Sequence, residues 1–281
     1  MSSKAMRNRS KYRTNPADNS ILGSPSGLNG LLGSFKIPLT LIVALAILAV
    51  TPRVQGNDVL FWSFVGALLF LAAGFTYLLL MSRRLGEERS FDVILRPQHY
   101  IQAMVQFSVY AYWGYYWRPV YDHAWLIIAQ IIFAYAFDMM LAWSRRQKYT
   151  LGFGPIPVIF SINLFLWFRD DWFYMQFLMI ALGFMGKEYV RWQREGRNVH
   201  IFNPSAFALG LFSLVLIFTN TTHLTWVRKL HDDVFNIQVK AVMLKTEVEA
   251  ELHLNNMLTT SDEHMAKYDK ISEDYYAIVG I

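Results

Sequence analysis

The sequence predicts an all-α fold, a polytopic transmembrane helical bundle of about seven spans. Three observations carry that prediction. Of 281 residues, 54% are hydrophobic and 16% aromatic, and the mean hydropathy is +0.25, too apolar for an ordinary soluble domain. Seven apolar runs approach the roughly 20 residues that a helix needs to cross the hydrocarbon core. Lys and Arg alternate between the connecting loops in step with those runs. The chain holds no cysteine, which excludes disulfides, thiolate catalysis, iron–sulfur ligation and Cys-based zinc sites.

Residues 1–36 are rich in Ser, Asn and Gly and carry Lys4, Arg7, Arg9, Lys11, Arg13 and Lys36 against the single acid Asp18. A secretory signal would place its apolar core directly after a short charged start, and here the apolar run begins too late. The segment reads as a disordered basic arm on the cytoplasmic side, in reach of anionic lipid or simply solvated. Residues 37–226 form the predicted bundle. Its spans fall at about 36–52, 58–81, 98–117, 122–143, 151–168, 172–189 and 201–220, the third so aromatic that part of it suits the membrane interface.

With the amino terminus inside, the inner segments collect the six cations of the arm, then Arg83, Arg84, Arg89 and Arg96, then Arg145, Arg146 and Lys148, then Lys187, Arg191, Arg194 and Arg197. The three short outer loops hold only Arg53, Arg118 and Arg169. This bias orients the bundle in a cell (inner) membrane, with the carboxyl end outside the cytoplasm. That end, 227–281, is an acidic, partly helical soluble tail: residues 232–281 hold ten acids and four cations. Ile237, Ala241, Leu244, Val248, Leu252 and Leu258 lie near helical spacing after Asp232 or Asp233, which suggests an amphipathic helix in need of a partner or else a marginal, partly disordered extension.

Charges at membrane depth are costly and mark a cavity or a partner. Asp138 is the carboxylate well inside a predicted span. It reads as a proton or cation relay, as the partner of a buried Arg or Lys, or as an acceptor of hydrogen bonds from neighbouring Tyr and Trp. His99 and His200 fall at inner span ends and His123 and His223 at outer ones, so two bis-histidine haem pairs are conceivable, though the helical His spacing of known haem bundles is missing.

Two segments break the helical pattern, and such breaks are tolerated where backbone is buried in protein or lines a cavity. "LGFGPIPVIFSIN" sets Gly152, Gly154, Pro155 and Pro157 before the fifth span, with Asn163 inside it. "RNVHIFNPSAFALG" opens the seventh: Asn203 suits the cap, Pro204 the first helical position, and Ser205 adds a hydroxyl. The start of that helix, with Arg197 and His200 nearby, suits an anionic or carbonyl-bearing ligand, or else is a plain capped span leaving a basic loop. Both breaks fall on the inner side, which suggests one shared site.

Positions 150–219 resemble the family of flavin-carrying membrane subunits found in Rnf-type electron transport complexes and in the sodium-pumping NADH:quinone reductase, and are similar in particular to its divergent UnbU-like branch. The match is clearest at "HIFNPSAFALGL", which is similar to the family's Phe-Asn-Pro-Ala helix start at Phe202, Asn203, Pro204 and Ser205. The resemblance implies a flavin (FMN or riboflavin), electron transfer coupled to ion movement, other membrane subunits as partners in an oligomer, and no role for nucleic acid. It implies covalent flavin attachment at an outer-side threonine motif. In "NTTHLTW", Thr222 and Thr225 keep the hydroxyl spacing, but His223 and Leu224 replace small residues and the motif's Asp is missing, so a local Ser/Thr turn competes. The family continues with a second half of further spans, whereas this sequence turns into its acidic tail.

The resulting expectation is a flavin- or quinone-associated membrane subunit, at most a cofactor-carrying part of a larger oxidoreductase. Asn203 and Ser205 would hold the ligand, Arg197 and His200 would help electrostatically, and Asp138 would relay an ion or proton. The other reading is a transporter or export component with no redox group. The chain lacks a nucleotide-binding glycine fingerprint, so reducing equivalents would come from a partner.

Overall fold

The computed structural model describes residues 28–194, 197–200, 202–226, 236–247, 270 and 273–274. The basic arm up to residue 27 and most of the acidic tail lie outside the described residues. In chain order the elements are α1 (Leu28–Ala49), the short α2 (Pro52–Gln55), α3 (Asp58–Leu85), β1 (Ser90–Val93), α4 (Pro97–Tyr116), the short α5 (Pro119–Asp122), α6 (Ala124–Trp143), β2 (Lys148–Leu151), α7 (Pro155–Phe165), α8 (Tyr174–Tyr189), β3 (Arg191–Arg194), β4 (Arg197–His200) and α9 (Pro204–Phe218). Single 3₁₀ turns at Asp170–Trp172 and Thr222–Leu224 close two of the connections.

The fold is mainly helical, and a helix falls on each of the seven apolar runs. Two of these helices, α3 and α6, are long and apolar enough by length and composition to cross a membrane; Gly33–Ala49, α7 and α9 are shorter apolar helices. The helix α1 starts at Leu28, within the stretch expected to be a disordered arm. The loops also hold strands that an all-helical reading omits. Parallel β1 and β2 pair Ser90 with Lys148 through Val93 with Leu151, and antiparallel β3 and β4 pair Arg191 with His200 through Arg194 with Arg197. Each ladder satisfies the backbone of a connection that would otherwise need solvent.

The central element is α6. It is apolar on every side, as a core helix should be, and its Leu126, Ala129, Ala134, Ala136 and Met139 are fully enclosed. Around it pack α1, α3, α7 and α8, with α9 on α8 and α4 on α7. Aromatic contacts knit the interfaces: Phe35 meets Trp143 at 5.3 Å, Phe133 meets Phe177 at 4.9 Å, and Phe64 meets Phe173 at 6.1 Å between ring centroids. The outer faces remain apolar: Trp62, Leu69, Phe107, Tyr112 and Phe218 are all more than half exposed. Exposed apolar surface on that scale marks an interaction face.

The fifth run departs from expectation. As a helix, α7 has only 11 residues, about 16 Å at 1.5 Å per residue, half of the roughly 30 Å hydrocarbon core. Leu166–Phe168 continue without helix, and these residues are buried. Gln176 of α8 stitches this break. Its side chain accepts from Phe168 N–H at 3.3 Å and donates to Asn163 Oδ1 at 2.9 Å and to Leu166 O at 3.5 Å. Asn163 in turn donates to Gln130 Oε1 at 2.7 Å. The three amides are essentially enclosed, so each bond spares a desolvation cost of about 1–3 kcal/mol per orphaned group.

Candidate functional site

Three helices begin with proline at the same end of the bundle: α4 at Pro97, α7 at Pro155 and α9 at Pro204. Proline suits that position because its missing N–H would have had no helical partner and its fixed φ already matches the helix. The three starts surround a cavity of about 330 Å³. It is lined by His99 and Gln102 from α4, by Gly154, Pro157 and Val158 at the start of α7, by Lys187 from α8, and by Phe202, Asn203, Pro204 and Ser205 at the start of α9. The structure thus brings together the two helix breaks that the sequence singled out.

Close approach of α9 to α8 makes this possible. A Cβ on Gly183 would meet Pro204 O at 2.9 Å, and one on Gly186 would meet the Phe207 ring at 2.6 Å. The first contact is with backbone and requires the bare Cα of glycine, whereas the second is with a side-chain ring that would have to turn aside. Asn203 caps α9: its Oδ1 accepts from Ser205 N–H at 3.2 Å and from the Ser205 hydroxyl at 2.9 Å, and its carbonyl accepts from Phe207 N–H at 2.9 Å. Part of the donor capacity that the sequence assigned to a ligand is therefore spent inside the cap. Ser205 is buried, while Asn203 and Phe202 are exposed at the rim.

Lys187 supplies the cation of the cavity, and its partner is Asp138. The ammonium lies 3.0 and 3.1 Å from the two carboxylate oxygens, and the Tyr149 hydroxyl donates to Asp138 Oδ2 at 3.0 Å. Burial pushes the Tyr149 phenol well above its ordinary range, and the adjacent Asp138 charge adds to the shift, so it stays a donor. Asp138 is thus the counter-ion of a buried-edge lysine and the acceptor of a tyrosine hydroxyl. Next to this pair, Glu188 receives Arg146 at 2.7 Å and Arg191 at 2.5 Å.

Arg197 and His200 lie on β4, and their side chains fall outside the described residues. Thr222 and Thr225 lie beyond the far end of α9 and take no part in the cavity. The Thr225 hydroxyl donates to Thr222 O at 2.8 Å, and the residue is buried and bridges to Phe168. That is a local turn, and a buried, bonded hydroxyl does not fit covalent attachment. Lys187, His99 and Gln102 carry no local signal beyond an apolar run with a polar end, which is why sequence reasoning did not place them in the site.

A second polar cluster sits at the other end of the bundle. Arg53 bonds Asp170 Oδ2 at 2.6 Å and His123 Nε2 at 3.3 Å, and His123 Nδ1 donates to Pro119 O at 2.7 Å. The ring is wedged edge-on between Trp167 and Trp226, with centroids at 4.8 and 4.9 Å. Both ring nitrogens are occupied, which removes His123 from haem ligation. Burial alone would raise the Asp170 carboxyl, but the His123 ring 3.6 Å from Oδ1 and the Arg53 guanidinium bonded to Oδ2 outweigh it and hold the group below the ordinary carboxylate range.

The fold and cavity define a mainly helical protein with helices long and apolar enough to cross a membrane and a cation-lined cavity at one end. Comparison with models of protein families, with curated proteins and with solved structures gives no match for the chain.

Proposed function

We propose that this chain is a multi-pass subunit of an Rnf/Nqr-like electron transport assembly in the cell inner membrane, and that its inner-face cavity holds a flavin. The observation that carries the reading is the convergence of three proline-started helices and Lys187 on one cavity. Its volume of about 330 Å³ lies at the lower end of the roughly 300–1,000 Å³ typical of small-molecule sites. Helix N-termini present partial positive charge, and Lys187 adds an ammonium that it shares with Asp138. The Gln102 amide and His99 supply further polar groups, while Phe202, Pro157, Val158 and Pro204 form apolar walls. That combination fits the carbonyl edge or phosphate of FMN. A bound flavin would supply one- and two-electron transfer. The chain's own residues would bind and orient it: Lys187 balances the anion, the Asn203 cap fixes the first turn of α9, and the apolar walls exclude water.

The seven-span arrangement, with the amino terminus inside and the tail outside, rests on the loop charges and on the exposed apolar faces of α3, α4 and α9. Partner membrane subunits would cover part of those faces. A transporter without a redox group is the second reading, favoured by the half-length α7 and its polar stitching, a feature shared with substrate sites on discontinuous helices.

The absorption spectrum of the detergent-purified protein separates the two. Flavin bands that disappear in Lys187→Met support the electron-transfer reading. A colourless protein that does not take up added FMN removes it.

A further inference from the structure

Lys187 faces two ways, toward the carboxylate of Asp138 and into the cavity. We propose that an anion entering the cavity draws the Lys187 ammonium away from Asp138, and that the released carboxylate takes a proton from water, so that ligand binding and proton uptake are coupled at this pair. The inference deepens the cofactor reading and rests on it for the flavin, but not for the anion chemistry.

The geometry supplies each requirement. The Lys187 side chain is 29% exposed and that of Asp138 only 7%, so the cation can follow a ligand and the carboxylate cannot follow the cation. A lysine stem is long and flexible, and its ammonium has three rotatable donors. Among the described residues, the elements around Asp138 offer no replacement charge. β2 contributes the Tyr149 hydroxyl, and the nearby Tyr135 hydroxyl of α6 is committed to Gly152 O at 2.8 Å. The Arg146 and Arg191 guanidiniums are held by Glu188. α1 and α3 meet this part of α6 through apolar contacts, Phe35 on Trp143 and Phe70 on Phe137. The polar groups of α7, Ser161 and Asn163, are bonded to Gln106 and Gln130. His99 lines the same cavity as Lys187.

A buried carboxylate stripped of its cation pays a desolvation penalty that protonation removes. The step is a proton transfer from water to Asp138 with no electron moved. Tyr149, a fixed donor, turns its bond to the remaining carbonyl oxygen of the acid. Charge at the pair is conserved: the anion replaces the carboxylate as the partner of Lys187.

The test is calorimetric titration of the detergent-purified protein with FMN at about pH 8, where a phosphate monoester is fully ionised, in two buffers of different ionisation enthalpy. Sulfate, which does not titrate there, serves as a second anion. Wild type should take up a proton with each ligand, and FMN affinity should strengthen about tenfold for each unit the pH is lowered within the coupled range. Asp138→Asn should bind without uptake or pH dependence, Asp138→Glu should restore both, and Lys187→Met should lose anion binding. Uptake with sulfate but no FMN binding would keep the coupling and remove the flavin. Binding of FMN without proton uptake would overturn the coupling and leave the flavin reading standing. Failure of both anions to bind would overturn the coupling outright.

Discussion

Replacing Gly183 by alanine should separate α8 from α9 and loosen the cavity. The added Cβ would lie 2.9 Å from Pro204 O and 3.2 Å from Ala208 Cβ. The first of these is backbone, so no side-chain rotation relieves it, and α9 must move by several tenths of an ångström at its first turn. Overpacking of this kind costs about 1–3 kcal/mol, against which the usual gain from Gly to Ala within a helix is only about 0.5–1 kcal/mol. The net effect is a loss. Gly210→Ala provides the matched control on α9 itself, because a Cβ there meets nothing within 4 Å and only the helix-propensity gain remains. Thermal unfolding of both variants in the same detergent, followed by tryptophan fluorescence, should therefore show opposite signs: a midpoint lowered by a few degrees for Gly183→Ala and unchanged or raised for Gly210→Ala. Anion binding should fall only in the former. Equal midpoints for the two variants would refute the close α8–α9 approach and, with it, the placement of Asn203 and Ser205 beside Lys187.

Asn203→Ala should cost about 0.5–2 kcal/mol through loss of the α9 cap and weaken retention of the proposed flavin, read as a lower unfolding midpoint and a lower ratio of bound FMN to protein; an unchanged ratio would detach the cap from the site. Gln176→Leu removes the bonds to Phe168 N–H and Asn163 Oδ1, leaving two buried groups unsatisfied at about 1–3 kcal/mol each. Faster amide exchange around Leu166–Phe168 should accompany its lower midpoint, and wild-type exchange there would dismiss the stitching role. Because the Asp170 carboxyl is held below its ordinary value of 3.8, its contribution to stability is complete above that pH and is lost as the pH falls through the lower, folded-state value. Arg53→Met should flatten that part of the stability profile, measured as the unfolding midpoint against pH, and an identical profile would show that Arg53 does not hold the carboxylate.

Much of the helix placement was legible in the sequence because it is local. The runs 58–81 and 122–143 match α3 and α6 closely, since length and hydrophobicity alone mark such helices. The starts of α7 and α9 were legible for the same reason: Pro155 and the Asn203–Pro204 pair carry their own backbone chemistry. The beginning of α1 was not, because the surrounding Ser, Gly and Asn of SPSGLNG have the composition of a loop, and the end of α7 was not, because no breaking residue marks it. Strands β1 and β2 also escaped, since they are more than fifty residues apart and their pairing follows from the docking of α3 and α6, not from alternation within either segment.

By itself, then, the sequence determined an apolar helical chain, its loop-charge asymmetry, and the two breaks that open α7 and α9. Only the tertiary structure decided that those breaks share one cavity with Lys187, that Asp138 is its counter-ion, that Gln130, Asn163 and Gln176 form one ladder, and that Arg53, His123 and Asp170 meet. The physical reason is range: helix starts and spans are set by interactions within a few residues, whereas an ion pair or an amide ladder exists only once separate helices have packed and excluded water from between them.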